Sequence, residues 1–585
     1  MTPSPLVRAA TTNSCTVRRS VRVAPVLVAA ELLCIWHASA FAAGPDPKGN
    51  DCAQSYWRDT LRCAAFPSDP PQPNFEDSPA TVADIRAYTR VFMGKYSLRT
   101  LDGTRPVLYI DKALCTTPAG CGAAAFGDPV ESDKWLLSVT GGGSCEAIDS
   151  DDDGKADDAD SCLLLYEDPT ERDEMGSADK APMKNLVGIM ADDPSGNPAF
   201  AGYNRVRVEK VSYDRYNGLV KYHRTGGYFT GLTSGAVTVH FDLYQQGYRI
   251  MRETLRMLEK GLTYTTWRDD GVGAVEAVEE TLPTLSAADS VVFVGHSGGA
   301  HGLYHNIDRL ADHLQKKKDF TGDVRAIFDA NFLPSIANEA AFATDAMAVP
   351  LAGDIYSDQW AGNTSAGGIA FAYDGADYYA TGDVSAQYDT FGGDRILDRS
   401  CLDTHKRTDG ATWKCRDRVH VLSNHVATPF FFREDFTDPS TEHTANGSGH
   451  RLVWGEYGPW PHCPVGVDCP PVFDLVEQRA RLTQQAETLL DDRATRSEIA
   501  LGIDESLGGA GAFPSFYAWM PDCGTHSGAY NNVSWNTQAI SWQGSDWTMR
   551  EWVEDFLVQP RLGVAARRID GVSDGLGTAT SSCPP

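Results

Sequence analysis

A serine hydroxyl is a poor nucleophile until something fixes its position and removes its proton. Residues 290–302 read SVVFVGHSGGAHG and set Ser297 between Gly295 and Gly299, after a β-branched run and ahead of a helical one. The G-x-S-x-G order belongs to a sharp strand-to-helix corner, where small neighbours let the backbone turn without clashing. Ser297 is therefore the candidate nucleophile. The pattern recurs as GVSDG at 571–575, where the sequence shows no clear strand before it and no helix after it. It is set aside.

An acyl-transfer serine also needs N–H donors for the oxyanion of its tetrahedral intermediate. One is expected from Gly298, the residue after the nucleophile. The others are expected from KWLLSVTGGGSC (134–145), where the N–H groups of Gly143 and Ser144 are the candidates. In strand–serine–helix enzymes the acid and the histidine follow in the order Ser, Asp, His. TPFFFREDFTDPS (428–440) offers Glu434, Asp435 and Asp438. Counting a five-residue strand from Pro429 puts Asp438 on the following turn, where Pro439 stops regular structure; Asp435 is the alternative. Among His443, His450, His462 and His526, only His526 follows a clear final strand, SFYAWMPDCGTH. His301 and His305 are four apart on the helix after the elbow, with no third ligand in view, and are expected to be ordinary helix residues.

A second chemistry sits behind the glycine run. Asp149, Asp151, Asp153, Gly154, Asp157 and Asp160 fall at positions 1, 3, 5, 6, 9 and 12 of a DxDxDG loop. Alternating carboxylates, a glycine for the turn and the carbonyl of Lys155 at position 7 make an oxygen cage suited to Ca²⁺. Cys145 and Cys162 bracket the loop. Calcium with a disulfide would brace the turn that carries the oxyanion donors. The calcium is expected to be structural, and no organic cofactor is implied.

These groups need a scaffold. At 585 residues the chain could hold several small domains or one large catalytic domain with insertions. Apolar residues make up 42% and charged residues 22%, an ordinary globular balance that allows a sizeable core. Short apolar runs, PVLYI, KWLLSVT, NRVRVEKV, SVVFVG, VRAIFDA, TPFFFRE and SFYAWM, alternate with helical segments such as YQQGYRIMRETLRMLEKGL and HGLYHNIDRLADHLQ. That rhythm predicts an α/β fold, a mostly parallel sheet with helices on both faces and long insertions. TVADIRAYTRVFM (81–93) reads as helical.

Four arginines before VAPVLVAAELLCIW, then HASAFAAG, give the charge–apolar–small order of a secretory signal, cleaved after Ala40 or Ala42. The stretch is too short to span a bilayer comfortably, so a secreted or periplasmic protein without a membrane span is expected. The remaining twelve cysteines fall into neighbouring pairs: Cys52/Cys63, Cys115/Cys121, Cys145/Cys162, Cys401/Cys415, Cys463/Cys469 and Cys523/Cys583. An even number in an exported chain argues for disulfides, with short-range pairing the simplest proposal. Losing four Arg and Glu31 with the first 42 residues moves the net charge from −28 to −31. Such a field repels nucleic acid and anionic membranes. The expected organisation is a signal peptide at 1–42, an N-terminal extension at 43–104, a catalytic domain at 105–562 with an insertion or lid at about 338–418, and a tail at 563–585.

The chain resembles the pectin acetylesterase/Notum family of serine carboxylesterases. KWLLSVTGGGSC is similar to that family's strand–GGGWC oxyanion segment, with Ser144 where tryptophan usually stands. AGYNRVRVEKVSYD and FDLYQQGYRIMRETLRMLEKGL resemble its next strand and the helix before the nucleophile. VGHSGGAHG stands where the family reads GCSAGG, and VRAIFDANF where it has an SDAGF-like strand. Asp438 falls on its catalytic aspartate, and Cys523-x-x-His526 matches its C-x-x-H. The resemblance implies an α/β-hydrolase-fold carboxylesterase using Ser297, His526 and Asp438 through an acyl-enzyme. A short acyl group on a glycan is the expected substrate. A longer-acyl or polyester substrate is the enzymatic alternative, and a glycan-binding protein on a hydrolase scaffold the non-catalytic one.

Overall fold

The computed structural model describes residues 81–142, 176–219, 223–229, 237–330, 393–435 and 515–583, short gaps apart, with Pro79, Ala486 and Leu489. One of those gaps, 524–527, includes His526. The described residues all fall in one contact unit, Pro67–Pro585.

The sheet strands, in chain order, are β1 (Tyr88–Phe92), β2 (Val107–Asp111), β3 (Lys134–Val139), β4 (Met183–Lys184), β5 (Asn204–Val208), β6 (Ser290–His296), β7 (Asp323–Asp329), β8 (Phe430–Arg433), β9 (Phe516–Met520) and β10 (Ala565–Ile569). They form one sheet in the order β10-β9-β8-β7-β6-β3-β5-β2-β1-β4. Every pairing from β10 to β5 is parallel, and the β2, β1 and β4 edge is antiparallel. All seven apolar runs expected as strands are strands of this sheet. The fold is the expected α/β class with a mostly parallel central sheet.

The run-like composition of these strands follows from burial on both faces, which leaves no solvent side to alternate with. Side chains still alternate between two cores. On β6, Val291 and Phe293 join one apolar cluster while Val292 and Val294 join the other. The first cluster takes in helices α1 (Gly247–Leu258) and α2 (Gly298–Gln315), through residues such as Ile250, Leu258, Leu303 and Leu310. It also receives α3 (Arg399–Arg407) and α4 (Arg418–Asn424), through Leu402, Val421 and Leu422. The second takes in α5 (Asn532–Thr537) and α6 (Met549–Val558), through Trp535, Trp552 and Phe556. Each fully buried side chain of this size contributes roughly 1.5–3 kcal/mol relative to exposure.

Three features differ from the sequence expectations. The stretch 81–93 is a short 3-10 turn, Val82–Asp84, followed by β1, not a helix. Thr89 and Val91 are β-branched, Tyr88 and Phe92 aromatic, and pairing with β2 satisfies their backbone; local helical periodicity loses to that tertiary contact. The sheet also draws on both flanks of the expected catalytic domain, through β1 before residue 105 and β10 after 562; β10 stands directly ahead of GVSDG, where no strand was expected. Finally, residues 393–418, inside the stretch expected as an insertion, contribute buried Ile396, Leu397 and Cys401 to the main core.

Among the cysteine pairs expected, Cys115–Cys121, Cys401–Cys415 and Cys523–Cys583 are disulfides. The other three pairs, Cys52 with Cys63, Cys145 with Cys162 and Cys463 with Cys469, lie outside the described residues. Their bonding stays an expectation from the even cysteine count.

Candidate active site

Ser297 stands between β6 and α2 with φ 49° and ψ −127°, a conformation that a side chain other than glycine's rarely adopts. Such strain persists only where surroundings over-determine it. Here the Ser297 N–H donates to the carbonyl oxygen of Asp329 on β7 (2.8 Å), and its own carbonyl accepts from His301 N (3.2 Å). The neighbouring glycines are required by close approach. A Cβ on Gly298 would lie 2.1 Å from the carbonyl oxygen of Gly142, and one on Gly299 2.3 Å from that of Val139. The elbow therefore packs directly on the glycine turn that follows β3. The two loops expected to supply oxyanion donors touch.

Within that turn, the Gly141 N–H faces the ring of His296 at 3.1 Å from either nitrogen, and His296 stacks on Tyr530 with centroids 4.1 Å apart. The side chain of Lys210 crosses Gly142, and its ammonium lies 4.2 Å above the Tyr213 ring. Gly143 and Ser144 lie outside the described residues, as does the acidic loop with Asp149, Asp151, Asp153, Lys155, Asp157 and Asp160.

A second strained segment supports the elbow from below. Tyr213, Arg215 and Tyr216 all have positive φ, at 45°, 50° and 58°. Asp214 at their centre is fully buried and accepts from Ser212 Oγ (2.6 Å), Tyr216 N (2.9 Å) and Gly247 N (2.7 Å). Burial pushes its carboxyl up to about 6, against those three donors. Tyr216 Oη shares a hydrogen bond with Thr140 at 2.8 Å, and a Cβ on Gly302 would lie 2.2 Å from the Arg215 carbonyl. This loop thus fixes the end of β3, the start of α1 and the first turn of α2 together. Sequence reasoning passed over it; the aspartate between two tyrosines in SYDRY was its one signal.

The acid side is organised around Arg433, fully buried at the end of β8. Its guanidinium donates to Asp329 Oδ1 (3.4 Å) and to Asp435 Oδ2 (3.2 Å), both carboxylates being fully buried. Asp435 accepts further bonds from Cys523 N (2.9 Å) and Gln538 Nε2 (3.3 Å). Asp329 Oδ2 accepts from Ala529 N at 2.9 Å. A Cβ on Gly528 would come within 2.9 Å of Arg433 Cζ. One arginine therefore ties the backbone that holds Ser297 to both flanks of the 524–527 segment. Asp438 and His526 themselves lie outside the described residues. The helix histidines behave as expected of core residues: His301 and His305 are buried, and burial, with Arg418 nearby, holds both rings below the usual range, His305 to about 3.

Residues 96–266 match the model of the family described as Pectinacetylesterase. Over that segment the chain is pectinacetylesterase-like. The pectinacetylesterase segment spans β2, β3 and its glycine turn, β5, the SYDRY loop and α1; it ends before Ser297. Two crystal forms of the Wnt deacylase Notum from Drosophila are similar to this chain at 15% identity and a TM-score of 0.46. The matches cover 80% and 81% of this chain and 93% of Notum. No curated protein matches. The pectinacetylesterase match supports a carboxylic ester hydrolase. Among the described residues no helix is long and apolar enough to cross a membrane.

Removing one partner of a buried ion pair leaves the others uncompensated and costs about 3–5 kcal/mol. Arg433→Met should lower the free energy of unfolding by about that much, read from denaturant midpoints at constant slope. An unchanged midpoint would mean that the cluster does not hold the site.

Proposed function

We propose that this chain is a secreted serine esterase that removes a short acyl group, such as acetyl, from a glycan. Ser297 Oγ attacks the acyl carbonyl as His526 takes its proton, and Asp438 holds the imidazole in the orientation needed. The N–H groups of Gly143, Ser144 and Gly298 receive the oxyanion. Collapse expels the glycan alcohol, which takes the proton from His526, and leaves an acyl-enzyme that water hydrolyses by the same steps in reverse roles.

The observation that carries the reading is the left-handed backbone of Ser297 at a corner packed on the Gly142 carbonyl. A glycine-tight strand end with no chemistry has no need of a strained serine there. Support for Asp438 over Asp435 is indirect. Both oxygens of Asp435 already serve Arg433, Gln538 and Cys523, which suits a holder of the histidine segment better than its catalytic partner. Export rests on the signal-like leader and on disulfides, which persist in oxidising compartments.

Calcium in the 149–160 loop, braced by Cys145–Cys162, belongs to the same proposal as a structural ion beside the oxyanion turn. It acts on the geometry of Gly143 and Ser144 and takes no part in the bond changes.

Kinetics on a short-chain p-nitrophenyl ester tests the triad. Ser297→Ala should lower kcat by about 10⁴-fold or more. Asp438→Asn should cost on the order of 10³–10⁴ in kcat with stability nearly unchanged. Asp435→Asn should do the opposite, lowering the melting temperature with a far smaller effect on kcat. A reversed pattern assigns the acid to Asp435.

Calcium removal is a separate test. Chelation should lower kcat, by about tenfold, more than it raises KM, because oxyanion donors act mainly in the transition state. Restored calcium should recover activity and raise the melting temperature. Asp151→Ala with Asp153→Ala should abolish both responses. A wild-type chain whose stability and kcat ignore calcium would reduce the loop to a solvated acidic segment.

A further inference from the structure

Away from the elbow, three imidazoles meet. His405 lies on α3, His420 on α4, and His425 immediately after α4. The Nε2 atoms of His405 and His420 are 2.8 Å apart, and those of His420 and His425 3.3 Å apart. The rings are not stacked as a hydrophobic group would be: centroids stand 5.0, 5.8 and 5.2 Å apart with tilted or edge-on planes. One nitrogen of each ring lies within 4.8 Å of one on each of the others.

A shared proton accounts for one such contact between neutral rings. It does not account for a third nitrogen placed against the His420 Nε2 that already faces His405. Three imidazole nitrogens bound tetrahedrally at the usual Zn–N length stand about 3.3 Å from one another; the His420–His425 pair has that separation, and the His405–His420 pair is shorter, at 2.8 Å. The group behind the first ring also fits. Asp409 Oδ1 accepts from Nδ1 of His405 at 2.8 Å, which fixes the tautomer so that Nε2 carries its lone pair toward His420. Lys414 and the Ala411 N–H hold that carboxylate in place, at 3.0 Å each. The Asn424 amide nitrogen donates to the His420 carbonyl at 2.8 Å and lies 3.3 Å from Nδ1 of the same residue.

We propose that His405, His420 and His425 form a binding site for a divalent transition ion of the zinc class, with Asp409 as the residue that orients His405. Cys401 Sγ also lies within 4.8 Å of the three nitrogens, but it is spent in the disulfide to Cys415. The fourth position therefore belongs to a solvent molecule. Imidazole donors without carboxylates in the inner set select against Ca²⁺ and Mg²⁺. The role is structural. The ion joins α3 to α4 just ahead of Ala427 and Thr428, whose N–H groups bind Asp308 on α2, and so braces the lead-in to β8. The site differs from the acidic 149–160 loop in its place in the sequence and in its ligand chemistry.

The test uses the tag-free full chain, stripped of metal and then held in excess Ca²⁺ so that acidic sites are filled. Titration with Zn²⁺ should show one ion bound per chain, with a rise in melting temperature. Co²⁺ in its place should give the visible absorption of a four-coordinate imidazole site. His405→Ala with His420→Ala should lose the bound ion, and Asp409→Asn should weaken Zn²⁺ by about 10–100-fold while leaving the three ligands in place. The proposal is overturned by a folded wild-type chain that takes up no stoichiometric Zn²⁺. It is equally overturned by binding that survives the double histidine variant. Should that variant fail to fold, the wild-type Co²⁺ spectrum and the Asp409→Asn affinity decide the matter.

Discussion

The structure around the site depends on one buried cation. Arg433 sits at the end of β8 between two carboxylates, and each carboxylate holds a different piece of backbone. Through Asp329 it reaches Ala529 and, by the same residue's carbonyl, the N–H of Ser297. Through Asp435 it reaches Cys523, which the disulfide to Cys583 anchors a second time. An isolated charge at this depth would be prohibitively costly. The cost is offset only while both carboxylates stay in register, so the ends of β7 and β8 and the segment after β9 hold their spacing together. This is what a parallel sheet offers catalysis: strand ends that converge on one edge, with a polar network fixing the loops that leave them.

The opposite flank of the elbow is fixed by contact rather than charge. The carbonyls of Val139 and Gly142 come so close to α2 that Gly298 and Gly299 cannot carry side chains. Asp214 closes the arrangement from beneath by binding the N–H of Gly247 at the start of α1. Its buried carboxyl, pushed up to about 6, adds stability below the ordinary carboxylate range that is lost as pH rises through 6. The elbow is therefore held by two different physical means, an ion cluster on one side and backbone crowding on the other.

Much of the fold was legible in the sequence, because strands buried on both faces show as continuous apolar runs and the helices between them are strongly periodic. KWLLSV, SVVFVGH and FYAWM could hardly be anything else. The β1 strand was not legible, because YTRVF carries an arginine and a threonine that suit a helix face as well as a sheet edge, and only pairing with β2 decides. Ser297 was legible for a local reason: its turn chemistry is written in adjacent residues. The Arg433 cluster was not, since Asp329 lies 104 residues before Arg433; nor were the three histidines, which share one short stretch but meet only when α3 folds back on α4. Asp329 is brought to Arg433 by β7–β8 pairing, and His405 to His420 by a turn and a disulfide. An even cysteine count could suggest that disulfide. Nothing local could say which rings it would bring face to face.

The central claim is that Ser297 is held at the elbow as an activated nucleophile. A fluorophosphonate tests this most directly, since only an activated hydroxyl displaces its fluoride. Digestion and mass spectrometry should find a single phosphonyl group, on the peptide containing Ser297, appearing in step with the loss of ester hydrolysis. Full modification of Ser297 with activity intact, or inactivation with the label on another residue such as Ser573, would contradict the account.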